Sequence, residues 1–286
     1  MINFKQVLML TAFLGQISVL SAKVITAKNI NYTDKNEERR QLNIYYQVSR
    51  PAKTATPKAK DVIIFIHGGS WSSGKKDTYW WLGRNFARKG VVAVTINYGL
   101  APVNQYEQMA DDCANAVKWV QQHIGGYGGD PKRIFVMGHS AGGHLAELIN
   151  ADPRYFKRAG IQNPIRGMIL DDPFGLDIKE YLATAAKDHW YDDFIRTFTT
   201  DSAVWEKASP LHYITQVNNP HLIFYGSKTY PAIQIQSERM NRVLTRQNVP
   251  VSLRVIIGKK HVGMIAQMIF GGNQLYKDIL GFVASN

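Results

Sequence analysis

Apolar positions in this chain fall in short, nearly unbroken blocks, and between the blocks the apolar residues return with a helical period. The blocks are "DVIIFIHGG" (61–69), "VVAVTIN" (91–97), "RIFVMG" (133–138), "RGMILDD" (166–172), "HLIFYG" (221–226) and "VSLRVII" (251–257). A strand apolar on both faces belongs inside a parallel sheet covered by helices, because alternation disappears only where neither face meets water. Two earlier strands are predicted at Val24 to Ile30 and Leu42 to Val48. Helices are predicted at Asp77 to Arg88, Met109 to His123, Ala141 to Ile149, Gln234 to Gln247 and Gly263 to Val283. Strands alternating with helices at this spacing predict an α/β fold, with a mostly parallel central sheet and helices on both faces. Ser49 to Lys60, with two prolines and no apolar period, reads as a loop. No internal repeat or second domain interrupts the pattern, so residues 23–286 read as one domain.

The first 22 residues depart from this pattern. Lys5 precedes an apolar run from Val7 to Leu20 that ends in Ser21 and Ala22, the layout of a secretory signal peptide. The run is short for a membrane span, and Gly15, Gln16 and Ser18 interrupt it, so no stable span is expected once the leader is cleaved. The single cysteine, Cys113, can form no internal disulfide and reads as a small core residue. These features predict a secreted or periplasmic protein. A net charge of +12 is spread over scattered lysines and arginines without a basic helix, which argues against a nucleic-acid partner. No grouping of cysteine, histidine or carboxylate suggests a metal, no phosphate loop follows a strand, and no cofactor is expected.

Candidate chemistry begins at "RIFVMGHSAGGHL", where Gly138-His139-Ser140-Ala141-Gly142 forms G-x-S-x-G directly between a strand and a helix. A serine on so tight a turn needs glycine neighbours, and the helix that follows offers positive potential to a developing oxyanion. Upstream, "FIHGGSW" (65–71) ends another strand, and the amides of Gly68 or Gly69 with that of Ala141 could form an oxyanion hole. His67 is expected to brace that loop. A general base should follow the last strand, and "IIGKKHVGMI" offers His261 there. His139 and His144 lie within the serine turn and its helix, too local for that role; His123, His189, His212 and His221 read as surface or packing residues.

From about Asp61 to Val283 the chain resembles the α/β-hydrolase fold, in the branch of hormone-sensitive-lipase-like and bifunctional feruloyl/acetylxylan esterases. "HGGSW", "NYGLAP" (97–102), "YGGDPKRIFVMGHSAGGHL" (127–145) and "KKHVGM" carry the likeness. The resemblance implies a serine esterase with Ser140 as nucleophile and His261 as base. It also implies an aspartate in the loop after "HLIFYG", where this chain has Thr229 and no Asp or Glu occurs between Glu206 and Glu238. Some relatives carry the acid one strand earlier, and "GMILDDPFGLD" offers Asp172, with Asp177 as second choice. Strand alternation sends Asp171 and Asp172 to opposite faces.

The segment from Phe174 to Lys207 reads as a small helical lid, with Trp190, Tyr191, Phe194 and Phe198 as lid or pocket residues and Trp71 as a further pocket residue. The expected function is hydrolysis of carboxylic esters, small or on carbohydrate, with acyl or feruloyl groups implied by the resemblance. An amidase or exopeptidase on the same fold, or a noncatalytic binding protein that lost its acid, are the alternatives.

Overall fold

The computed structural model describes residues 23–48 and 58–286, with the side chain of Trp190 excepted. The expected signal peptide at 1–22, and residues 49–57 of the polar loop, lie outside the described residues. Among the described residues, eight strands form one sheet: β1 Lys23–Asn31, β2 Gln41–Val48, β3 Lys60–Ile66, β4 Val92–Ile96, β5 Gly129–His139, β6 Ile165–Asp171, β7 His221–Gly226 and β8 Val251–Ile256. They stand in the order β1-β2-β4-β3-β5-β6-β7-β8. The β1/β2 and β2/β4 pairs are antiparallel and the rest parallel. This is the α/β-hydrolase arrangement.

The helices are α1 Trp80–Arg88, α2 Tyr106–His123, α3 Ala141–Ala151, α4 Arg154–Ala159, α5 Ile178–Thr184, α6 His189–Phe198, α7 Ser202–Lys207, α8 Pro210–Tyr213, α9 Pro231–Arg246, α10 His261–Ala266 and α11 Gln274–Ser285. Alternate residues of the central strands feed two separate apolar clusters. Val62, Ile64, Val94, Val136 and Leu170 pack with residues of α2, α3 and α9 on one face. Ile63, Phe65, Phe135, Ile169 and Phe224 pack with residues of α1, α10 and α11 on the other. Each such side chain taken fully out of water contributes about 1.5–3 kcal/mol, so the doubly covered sheet is the main source of stability. Cys113 is buried in the first cluster.

Three sequence expectations change. β8 is the sheet edge, and its Val255 is 41% exposed, so "VSLRVII" is not covered on both faces. The helix expected from Gly263 to Val283 is two helices: α10 ends at Ala266 in a 3-10 turn over Gln267–Ile269, and after Gly271-Gly272 the Asn273 side chain accepts from the Leu275 amide to start α11. Helix-weakening glycines followed by an Asn cap explain the break. α2 begins at Tyr106 rather than Met109, because Gln105 and Gln108 close a capping box ahead of it.

The parallel strands all point the same way, so the turns after β3, β5, β6, β7 and β8 gather at one sheet edge. Ligand sites in such sheets form outside those carboxyl ends.

Candidate active site

Ser140 occupies the single residue between β5 and α3, at φ +56 and ψ −126. A non-glycine residue held there costs about 1–3 kcal/mol and persists only where its surroundings fix it. They do so here: the Ser140 amide donates to the Asp171 carbonyl at 3.3 Å, and its carbonyl accepts from the amides of Gly143, His144 and Phe174 at 2.8, 3.1 and 3.2 Å. Gly142 lets α3 come down onto the end of β3, since a Cβ there would lie 2.1 Å from the Ile66 carbonyl oxygen. Gly138, on the other side of the serine, is needed for a second contact, since a Cβ there would lie 2.3 Å from the Gly142 carbonyl oxygen.

His261 opens α10 just beyond β8 and touches both partners that an acyl-transfer base requires. Its Nε2 lies 2.8 Å from Ser140 Oγ and its Nδ1 2.6 Å from Asp172 Oδ2. With Nδ1–H donating to the carboxylate, Nε2 is left to accept the serine proton. Asp172 directly follows β6 at φ +52 and is fully buried. Its Oδ1 accepts from the Gly226 amide at 2.8 Å, and its Oδ2 accepts from the Thr229 hydroxyl at 2.5 Å. Thr229, at the position where the resemblance implied an acid, thus supplies a donor to an acid that comes from the neighbouring strand. Asp177 is elsewhere: it caps α5 by accepting from the Glu180 amide and pairs with Arg239 at 3.1 Å.

The glycine loop after β3 lies against this turn. A Cβ on Gly68 would sit 2.9 Å from Ser140 Cβ, so the two chains meet only because Gly68 has none. The amides of Gly68, Gly69 and Ala141 donate to no backbone acceptor among the described residues. His67 lies beneath the loop, its Nδ1 2.8 Å from the Gly68 carbonyl oxygen and its ring stacked on Tyr98 at 4.5 Å.

Two groups set aside by sequence reasoning flank the line of three. The His139 ring stacks on His261 at 5.0 Å, with its Nε2 3.4 Å from the His261 carbonyl oxygen. Burial, with His261 beside it, pushes its pKa down to about 3. Asp171, the last residue of β6, is in register with His139 and Phe224. Neither of its carboxyl oxygens is paired among the described residues, and burial, then Asp172, pushes its pKa well above the carboxylate range.

Burial also pushes His67 and His144 down to about 4. Unfolded, these rings and His139 would titrate near the free-imidazole value of about 6.5. Between about pH 6.5 and 4 the unfolded chain binds more protons than the folded one, so stability falls as the pH drops through that window. The thermal unfolding midpoint is expected to be lower at about pH 4.5 than at about pH 7. An unchanged midpoint in a calorimetric scan would contradict neutral burial of these rings.

Ser140 and His261 open into a cavity of about 430 Å³ walled by Trp71, Phe174, Tyr181, Tyr191, Phe194 and Tyr230. Trp71 and Tyr191 thus line it as the sequence suggested, whereas the Trp190 side chain lies outside the described residues. Phe198 is not a pocket residue: it is fully buried behind Trp71, at 4.9 Å between ring centres. Tyr181, within the expected lid, was not foreseen as a wall residue; Tyr230 follows Thr229 directly. No group of three or more potential metal ligands occurs among the described residues, nor a helix long and apolar enough to cross a membrane.

The family described as BD-FAE matches residues 42–244, a span that includes Ser140 and Asp172 and stops short of His261. A probable isoprenylcysteine alpha-carbonyl methylesterase of Arabidopsis thaliana is 25% identical over 275 residues, covering 90% of this chain and 55% of its own length. The chain spans 55% to 63% of the length of the plant methylesterases it matches. Among solved structures, esterase B of Lactobacillus rhamnosis superposes with a TM-score of 0.76 at 19% identity, covering 92% of this chain and 85% of that one. A truncated carbohydrate esterase from gut microbiota superposes with a TM-score of 0.75 at 18% identity, covering 93% and 96%. Both share the fold.

Proposed function

The chain belongs to the BD-FAE family, and from that premise we propose that it hydrolyses carboxylic esters through an acyl-enzyme on Ser140. The observation that carries this reading is His261, placed 2.8 Å from a serine hydroxyl and 2.6 Å from a buried carboxylate. In the first half-reaction Ser140 Oγ attacks the ester carbonyl while His261 Nε2 takes its proton. The Ala141 amide, with Gly68 or Gly69, holds the oxyanion, and His261 returns the proton to the leaving alkoxide as the C–O bond breaks. Water then repeats the sequence on the acyl-enzyme. Asp172 keeps Nδ1 protonated and stabilises the imidazolium that forms at each step. A noncatalytic role drew its support from the acid-free loop after β7; a carboxylate reaching His261 from β6 removes that support.

The wall of the cavity narrows the acyl group. Six aromatic rings around about 430 Å³ suit a flat or medium-length apolar acyl group more than a charged one. Acyl or feruloyl groups on carbohydrate fit this shape, and both a carbohydrate esterase and isoprenylcysteine alpha-carbonyl methylesterases are among the similar proteins. Reaction of the folded protein with a fluorophosphonate probe, followed by peptide mapping, is expected to modify Ser140. A parallel panel of p-nitrophenyl esters, acetylated xylan, feruloyl esters and aminoacyl anilides should show turnover of esters and little of anilides. A folded protein that leaves Ser140 unlabelled would sink the proposal, and preference for anilides would redirect it to an amidase.

A further inference from the structure

The loop that carries the oxyanion glycines is held in an unfavourable backbone shape. Gly69, Ser70 and Trp71 have φ of +124, +50 and +58 in succession, and two of the three have side chains that disfavour this region. Such a run needs an anchor, and the Trp71 side chain provides it. The indole is 1% exposed, and its Nε1–H donates to His144 Nδ1 at 3.1 Å. His144 in turn donates from Nε2 to the Ala208 carbonyl at 2.7 Å. An indole can only donate and a carbonyl can only accept, so the two bonds together require one tautomer, neutral with the proton on Nε2. Burial pushes the ring's pKa down to about 4, which keeps that neutral form throughout the neutral range.

The position of this ring links three parts of the site. His144 lies on α3 four residues after Ser140, and its own amide donates to the Ser140 carbonyl at 3.1 Å. Ala208 closes α7, at the base of the insertion that forms the cavity roof. Trp71 itself walls the cavity and meets Phe194 of α6 edge-on at 5.4 Å. The loop, the nucleophile helix and the lid base therefore share one buried polar contact among apolar rings.

We propose that His144 is a positioning residue of the reaction. By accepting from Trp71 and donating to Ala208, it holds residues 68–71 against Ser140, so that losing the Trp71 bond lowers turnover and leaves substrate affinity nearly unchanged. The inference rests on the hydrolase reading, because it concerns where the oxyanion amides stand relative to Ser140. Small misplacements of such groups cost up to about 100-fold in rate.

The two ring nitrogens can be separated by substitution. His144→Asn keeps an acceptor near the Nδ1 position, whereas His144→Gln reaches toward Nε2 and loses the Trp71 contact. Trp71→Phe deletes the indole donor and keeps an aromatic wall. With p-nitrophenyl butyrate, kcat is expected to fall about 10- to 100-fold in Trp71→Phe and His144→Gln, with KM in His144→Gln, which leaves the cavity wall intact, within about twofold of the unaltered protein. His144→Asn should stay within about threefold of the unaltered kcat. The Trp71→Phe/His144→Gln pair should be no slower than the worse single variant, because both remove one bond. Unchanged kcat in the two folded single variants, equal losses in His144→Asn and His144→Gln, or a loss confined to KM would overturn the proposal. A Trp71→Phe chain that fails to fold would assign the bond to stability and overturn it as well. Absence of phosphonate labelling in the unaltered protein would instead defeat the parent reading.

Discussion

Replacing His261 by alanine is expected to lower kcat on an activated ester by roughly 10⁶-fold while leaving the fold in place. In the proposed mechanism the imidazole serves each half-reaction twice, as base toward Ser140 or water and as acid toward the leaving group. Nothing adjacent can substitute. His139 stacks on the same ring, but its Nε2 faces the His261 carbonyl, and burial holds its pKa near about 3, too low for a base at neutral pH. The His261 side chain is 17% exposed, so its removal opens little apolar volume in the core. Residual rate over water should come from the oxyanion amides and substrate binding. Steady-state turnover of p-nitrophenyl butyrate and the rate of phosphonate labelling should fall together. Retention of more than about one hundredth of either, well above the loss expected for a base, would show that His261 is not the base.

The parts of this site legible in the sequence are those that a local rule dictates. Ser140 was readable because a strand, a tight turn and a helix must follow one another within a few residues, and Gly138 and Gly142 mark where a Cβ would meet the Gly142 and Ile66 carbonyls. His261 was readable from its place after the last strand, although 121 residues separate it from Ser140. Six of the eight strands were readable from the apolar blocks, and β1 and β2 from the two earlier strand patterns; the edge position of β8 was the exception, since the arginine within "VSLRVII" does not by itself mark an edge. Other features depend on how distant elements meet. His144 looked like one more helix residue because its partners, Trp71 and Ala208, are 73 and 64 residues away. Phe198 and Tyr191 lie on one short amphipathic helix, and only its rotation against Trp71 decides which ring is core and which is wall.

The acid is the instructive intermediate case. A strand pattern could bring Asp172 to the end of β6, but the contact with His261 depends on a left-handed residue at φ +52 and on β7 lying next to β6. Asp172→Asn should therefore cost about 10⁴-fold in kcat with the three-dimensional structure retained, because the amide can offer Nδ1 a donor and so favour the wrong tautomer. The same substitution at Asp177 keeps an oxygen that can cap α5 and removes only the charge facing Arg239, so it should cost little stability and spare turnover. Near-wild-type turnover in folded Asp172→Asn would remove Asp172 from the mechanism. Thr229 supplies a sharper test, because its hydroxyl lies 2.5 Å from the very oxygen that receives His261. A carboxylate grown from position 229 would enter the same small space from β7. In an Asp172→Asn background, Thr229→Asp is expected to recover at least about tenfold of the 10⁴-fold loss. In the unaltered background the same change puts two carboxylates in van der Waals contact, so one must hold a proton and no gain is expected. Recovery in the first case without gain in the second would mean that His261 needs one negative charge at that point, whichever strand delivers it.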